Sequence, residues 1–98
     1  MAFTFPEISP YKQQETDVLT EEAISWRIVV WNDEVNTFDW VIDSLMEICG
    51  HTEEQAEQCA FLIHNKGKYA VKQGDYDTLR PLCEGLCDRG LSATLENE

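Results

Sequence analysis

The 98-residue chain carries 19 acidic and 7 basic residues, a formal net charge of −12. A charge of that sign and size argues against an electrostatic grip on nucleic acid or on an anionic membrane surface. It leaves solubility, or attraction of cationic partners, as its uses. No apolar run reaches transmembrane length, and the N-terminus lacks a basic segment followed by an apolar one. The expectation is one small cytoplasmic domain working as a monomer.

In chain order, residues 1–23 show no periodicity and hold Pro6, Pro10, Gln13, Gln14 and scattered acids. They read as a flexible N-terminal extension ahead of a folded domain over 24–98. A strand is predicted at about 25–31, where Trp26, Ile28, Val29, Val30 and Trp31 suit a pleated, half-buried surface. The polar turn Asn32-Asp33-Glu34 follows. A helix over about 37–49 then presents Phe38, Val41, Ile42, Leu45, Met46 and Cys49 at the spacing of one face. Asn36 or Thr37 can cap its start and Gly50 fits its end. Thr52 and Gln55 form a capping-box pattern for a second helix running to about Asn65. Ala56, Cys59, Ala60 and Ile63 share a face of that helix, His64 lies one turn after Ala60, and Gly67 stops it. Lys68–Gln73 reads as a short strand with Tyr69 and Val71 on one side. A third helix carries Leu79, Leu82, Cys83, Leu86 and Cys87, and an N-cap at Asp77 or Thr78 would put Pro81 in its first turn. Gly90 closes it, and Leu91, Ala93 and Leu95 alternate as a last strand.

The order is β-α-α-β-α-β, which makes a two-layer α+β sandwich with three helices on one face of a three-stranded sheet. Of the four cysteines, Cys49, Cys59, Cys83 and Cys87, three fall on apolar helix faces, where a free thiol behaves as a small hydrophobe. Neither His sits at finger spacing from a Cys pair, so no metal site and no cofactor are expected. There is no Gly-rich phosphate loop and no nucleophile with an evident base, so the chain does not read as an enzyme. The loop between the first strand and the first helix is more telling. It sets two acids and two amides beside the apolar start of a helix, a place to hold a cation next to a hydrophobic hole.

The run Trp31-Asn32-Asp33-Glu34-Val35-Asn36-Thr37-Phe38-Asp39-Trp40-Val41-Ile42 resembles the ClpS family, bacterial adaptors that deliver N-degron substrates to Clp proteases. Ile63-His64-Asn65-Lys66-Gly67-Lys68 is similar to the family's second signature, and Leu91-Ser92-Ala93-Thr94-Leu95-Glu96 to its C-terminal strand. Together they span about residues 24–96, in the family's order. The resemblance implies an antiparallel sheet, and an N-terminal extension offered to the pore of the unfoldase. It also implies a site for a free protein N-terminus: Asn32, Glu34 and His64 on the α-amino group with Asp33 beside them, and Asn36, Thr37, Phe38, Val41, Ala60, Ile63 and Leu91 around the first side chain. The implied partners are the N-terminal domain of a ClpA- or ClpC-type AAA+ unfoldase and N-degron proteins. The alternative is a regulator that docks on the unfoldase without reading N-termini. Two positions depart from many relatives: Glu34 stands in place of Asp, and Ala60 in place of a Met that guards the pocket. The second change implies a wider entrance that admits β-branched first residues.

Overall fold

The computed structural model describes residues 26–97. The expected extension over 1–23 lies outside the described residues. The elements are β1 (Trp26–Trp31), α1 (Phe38–Cys49), α2 (Glu53–Lys66), β2 (Lys68–Gly74), α3 (Tyr76–Asp88) and β3 (Ser92–Asn97). This is the order expected from the sequence. The sheet runs β2-β1-β3, with β1 antiparallel to both neighbours. The central strand buries Ile28, Val29 and Val30 in succession, as a strand flanked on both edges can. Ile28 and Val30 join Val71, Leu91 and Ala93 in one core with Leu45 and Cys49 of α1, Ala56, Cys59 and Ile63 of α2, and Leu79, Cys83 and Leu86 of α3. All three helices therefore cover the same face.

Helix ends follow local chemistry. The Thr37 side chain accepts from the Trp40 N–H at the start of α1, and the Thr52–Gln55 capping box is complete at the start of α2. Gly50, Gly67 and Gly90 all hold positive φ. At the end of α3 the Gly90 N–H bonds the Cys87 carbonyl and the Leu91 N–H bonds the Leu86 carbonyl. This Schellman closure buries Leu91 together with Leu86.

Two local expectations are corrected. The N-cap of α3 is Asp75, not Asp77 or Thr78; its side chain accepts from the Thr78 N–H. Pro81 therefore lies inside the helix, beyond its first turn. The helix keeps its course because Leu79, Cys83 and Leu86 bury its apolar stripe, a tertiary gain that overrides the local Pro penalty. The second correction is Cys87, which the helical spacing placed with the apolar face but which is exposed. Its thiol turns to the Ala93 carbonyl, 3.2 Å away. The other three thiols are buried. Desolvation pushes Cys49 and Cys83 up to about 11 and raises Cys59 as well, so they stay neutral thiols inside the core.

The β1–β2 register slips between Ile28, which faces Lys72, and Val29, which faces Ala70. Val71 is the extra residue of this bulge and points into the core. On the open face of the sheet the Trp31 indole N–H reaches the Thr94 hydroxyl at 3.2 Å, and Lys68 Nζ stands 4.6 Å from the centre of the Trp31 ring. That contact parks the Lys68 charge on the side of the sheet away from the helices.

Candidate functional site

Chain ends of five elements converge beside the Asn32–Asn36 turn. The Asn32 N–H donates to the Gly67 carbonyl at 2.8 Å, which fastens the end of β1 to the end of α2. The Asn36 amide donates to the Gly90 carbonyl at 2.9 Å, which fastens the turn to the junction of α3 and β3. Thr37 then starts α1. The two glycines at positive φ thus supply the carbonyls that hold the turn, because a left-handed residue redirects the chain as the helix ends.

Asp33 organises the turn from within. Its Oδ1 accepts from the N–H groups of Val35 at 3.0 Å and Asn36 at 2.9 Å. The Asn36 amide lies 3.1 Å from Oδ1 and 3.0 Å from Oδ2, and the Ser92 hydroxyl reaches Oδ2 at 3.4 Å. The Asn36 backbone hydrogen bond leads the causes that hold the Asp33 carboxyl below its ordinary value. With this many donors already on it, Asp33 braces the loop.

Asn32, Glu34 and His64 are left differently. Each is exposed, and none of their side chains has a hydrogen-bond partner among the described residues. They stand at the rim of a cavity of about 460 Å³ whose wall is Phe38, Val41, Ala60 and Ile63, with Asp33 and Asn36 closing one side. Nine of the eleven residues singled out in the sequence line this one space. Thr37 does not, because its hydroxyl is spent on capping α1. Leu91 lines a small adjoining hollow with Val30, Asn36, Val41 and Ile63. The site therefore sets a carboxylate, an amide and an imidazole around the mouth of an apolar hole. It does so at the C-terminal end of α2, where the helix dipole favours a cation. It can hold a small group that carries a positive charge and an apolar side chain on neighbouring atoms. Among the described residues no group of three or more His, Cys, Asp or Glu side chains is placed to hold a metal ion.

Residues 21–94 match the family described as ATP-dependent Clp protease adaptor protein ClpS. The chain belongs to the ClpS family. It is 32% identical over 82 residues to the ClpS adapter of Corynebacterium aurimucosum, which covers 84% of this chain and 74% of that one. It is 29% identical over 90 residues to the ClpS adapter of Nocardia farcinica, covering 92% and 85%. In fold it is similar to Agrobacterium tumefaciens ClpS2 bound to L-phenylalaninamide, with a TM-score of 0.72 over 74% of this chain and 95% of that one, at 19% identity. A ClpS chain is an adaptor of a protease, not the protease itself. Among the described residues no helix is long and apolar enough to cross a membrane.

Sequence reasoning did not find the bracing roles within this candidate site of the ClpS-family chain. Gly90, Gly67 and Ser92 hold the turn through groups that no local pattern marks, since two of the three act through a backbone carbonyl. Asn36 carries the amide that links Asp33 to Gly90. The Asn-Asp-x-x-Asn spacing of the turn was the available signal, since Asp accepts readily from backbone N–H groups two and three residues on.

Proposed function

We propose that this ClpS-family chain captures free protein N-termini that begin with a bulky hydrophobic residue and delivers them to the N-terminal domain of a ClpA- or ClpC-type AAA+ unfoldase in the cytoplasm. The observation that carries the reading is the pairing of uncommitted acceptors with an apolar hole. Asn32, Glu34 and His64 rim a cavity walled by Phe38, Val41, Ala60 and Ile63. An N-terminal residue bears its ammonium and its side chain on the same carbon, so a receptor needs these two features side by side. The family, and the amino-acid amide bound by the Agrobacterium relative, support the same class of ligand.

The energetics suit an adaptor that must release its cargo. Burying a Phe or Leu side chain contributes roughly 1.5–3 kcal/mol, and each well-placed hydrogen bond to a charged group about as much. Association costs at least about 4 kcal/mol. With three such hydrogen bonds the balance reaches at most about 8 kcal/mol, which corresponds to dissociation constants of about micromolar or weaker.

The test is fluorescence anisotropy with a peptide beginning with free Phe and with its N-acetylated twin. Acetylation removes the charge and keeps the side chain. Binding of the free peptide alone is the expected result. Binding of neither leaves the alternative, an unfoldase regulator that does not read N-termini, and equal binding of both removes the rim acceptors from the mechanism.

A further inference from the structure

Beside the mouth of the main cavity lies a second, open groove of about 520 Å³, lined by Phe38, Glu54, Glu57, Gln58 and Phe61. Phe38 belongs to both spaces, so the groove continues the first cavity across one aromatic ring. Its other residues, Glu54, Glu57, Gln58 and Phe61, follow the spacing of a single α2 face. The same face leads on to His64 one turn later.

Phe61 is 57% exposed and Phe38 46%. Two large rings left this open on adjoining elements are a surface without a folding role of comparable size. Glu54 and Glu57 are also exposed. The ion pairs among the described residues are Arg27–Glu96, Arg80–Glu84 and Arg89–Glu47, and none involves either acid. Glu54 lies in the first turn of α2, where the helix dipole accounts for a carboxylate. Glu57 lies a turn further on, where it does not.

We propose that this groove is a subsite for a basic side chain at the third residue of the substrate, with the alkyl stem of an Arg or Lys lying on Phe61 and its cationic head between Glu54 and Glu57. The inference rests on the reading of the main cavity given above. In an extended peptide alternate side chains point to the same face and lie about 6.6 Å apart along the chain. A peptide that leaves the cavity along α2, from His64 towards Phe61, brings its third side chain over the neighbouring groove and turns the second away from it. The two carboxylates supply charge complementarity, and the exposed ring supplies a face for a cation.

The experiment measures affinity of the full chain for three peptides with identical tails that begin Phe-Ala-Ala, Phe-Ala-Arg and Phe-Arg-Ala. Phe-Ala-Arg is expected to bind about three- to tenfold more tightly than Phe-Ala-Ala, with a gain that shrinks at high salt. In the double variant Glu54→Gln, Glu57→Gln the gain is lost while Phe-Ala-Ala binds as before. A second double variant, Asp77→Asn with Asp88→Asn, removes the same charge from α3, which lines neither cavity, and keeps the gain. Equal affinities for Phe-Ala-Ala and Phe-Ala-Arg overturn the subsite. So does an equal gain from Phe-Arg-Ala, and so does an equal loss of the gain in both double variants, which would assign it to the net charge of the whole chain. Failure of Phe-Ala-Ala to bind at all overturns the reading of the main cavity and the subsite with it. Binding of Phe-Ala-Ala with no gain from Arg overturns the subsite alone.

Discussion

The Asp33 carboxylate holds the Asn36 side-chain amide on both of its oxygens, at 3.1 and 3.0 Å, while the same amide donates to the Gly90 carbonyl at 2.9 Å. One amide thus ties the turn after β1 to the turn before β3. Asp33 is lowered below its ordinary value of 3.8, chiefly by the Asn36 backbone N–H. Its unfolded form therefore holds its proton more tightly than its folded form. The stabilisation it provides is complete above the unfolded value and is lost as pH falls through the folded one. Urea midpoints measured at about pH 5 and about pH 3 should fall more in the parent chain than in Asp33→Asn, since unperturbed Asp titrates near ~3.9. Equal losses in both would show that Asp33 does not carry the acid sensitivity. Asp75 is lowered as well, by its contact with Thr78, and remains in both proteins, so it cancels in the comparison.

The rim acceptors separate binding from folding. Asn32, Glu34 and His64 are exposed, so Asn32→Ala, Glu34→Gln and His64→Ala should leave the thermal midpoint almost unchanged. If the proposed capture is right, each removes one hydrogen bond to a charged group, about 1.5–3 kcal/mol, and should weaken a Phe-first peptide roughly ten- to hundredfold. Calorimetric titration beside a melting curve checks both halves. A variant that melts early and binds poorly would move its residue from the ligand to the scaffold.

Ala60 is 3% exposed yet lines the cavity, so its small size sets the width of the hole. Ala60→Met should fill part of that space. A β-branched first residue, widest next to the backbone, should then lose roughly tenfold or more relative to Phe, within the range that a misfit of one or a few methyl groups produces. Anisotropy with Phe-, Leu-, Ile- and Val-first peptides reads the discrimination directly. Unchanged ranking would place the gate elsewhere, with Phe38 the next residue to shorten.

Helices α1 and α3 meet closely at Gly85. A Cβ there would lie 3.2 Å from both Cδ1 and Cγ2 of Ile48, and the branched side chain cannot swing both carbons aside. Gly85→Ala gains about 1 kcal/mol of helix propensity against an overpacking cost of about 1–3 kcal/mol. The net expectation is a loss of about 1 kcal/mol in denaturant melts. In an Ile48→Ala background the same change should become stabilising, and a cycle with no coupling would show that the helices part without strain.

Much of this protein was legible in local sequence. Strand, turn and helix order followed from apolar spacing, and the Thr37, Thr52–Gln55, Gly50, Gly67 and Gly90 boundaries from residues that satisfy or redirect backbone groups within a few positions. The Asn32–Asn36 turn and His64 stood out as a candidate site for the same reason, since their types and order are set along the chain. Only the tertiary structure decided the rest. Val71 became a bulge because two strands had to keep their apolar sides on one core. α3 began at Asp75 and ran through Pro81 because burial of Leu79, Cys83 and Leu86 outweighed a local penalty. Asp33 became a brace across the fold because Ser92 came within reach from 59 residues away and because its partner Asn36 met the Gly90 carbonyl. The groove at Glu54, Glu57 and Phe61 acquired its meaning from Phe38, on another helix. Periodicity and capping report what a residue does with near neighbours, whereas the partners that fix these last features arrive only when distant segments pack.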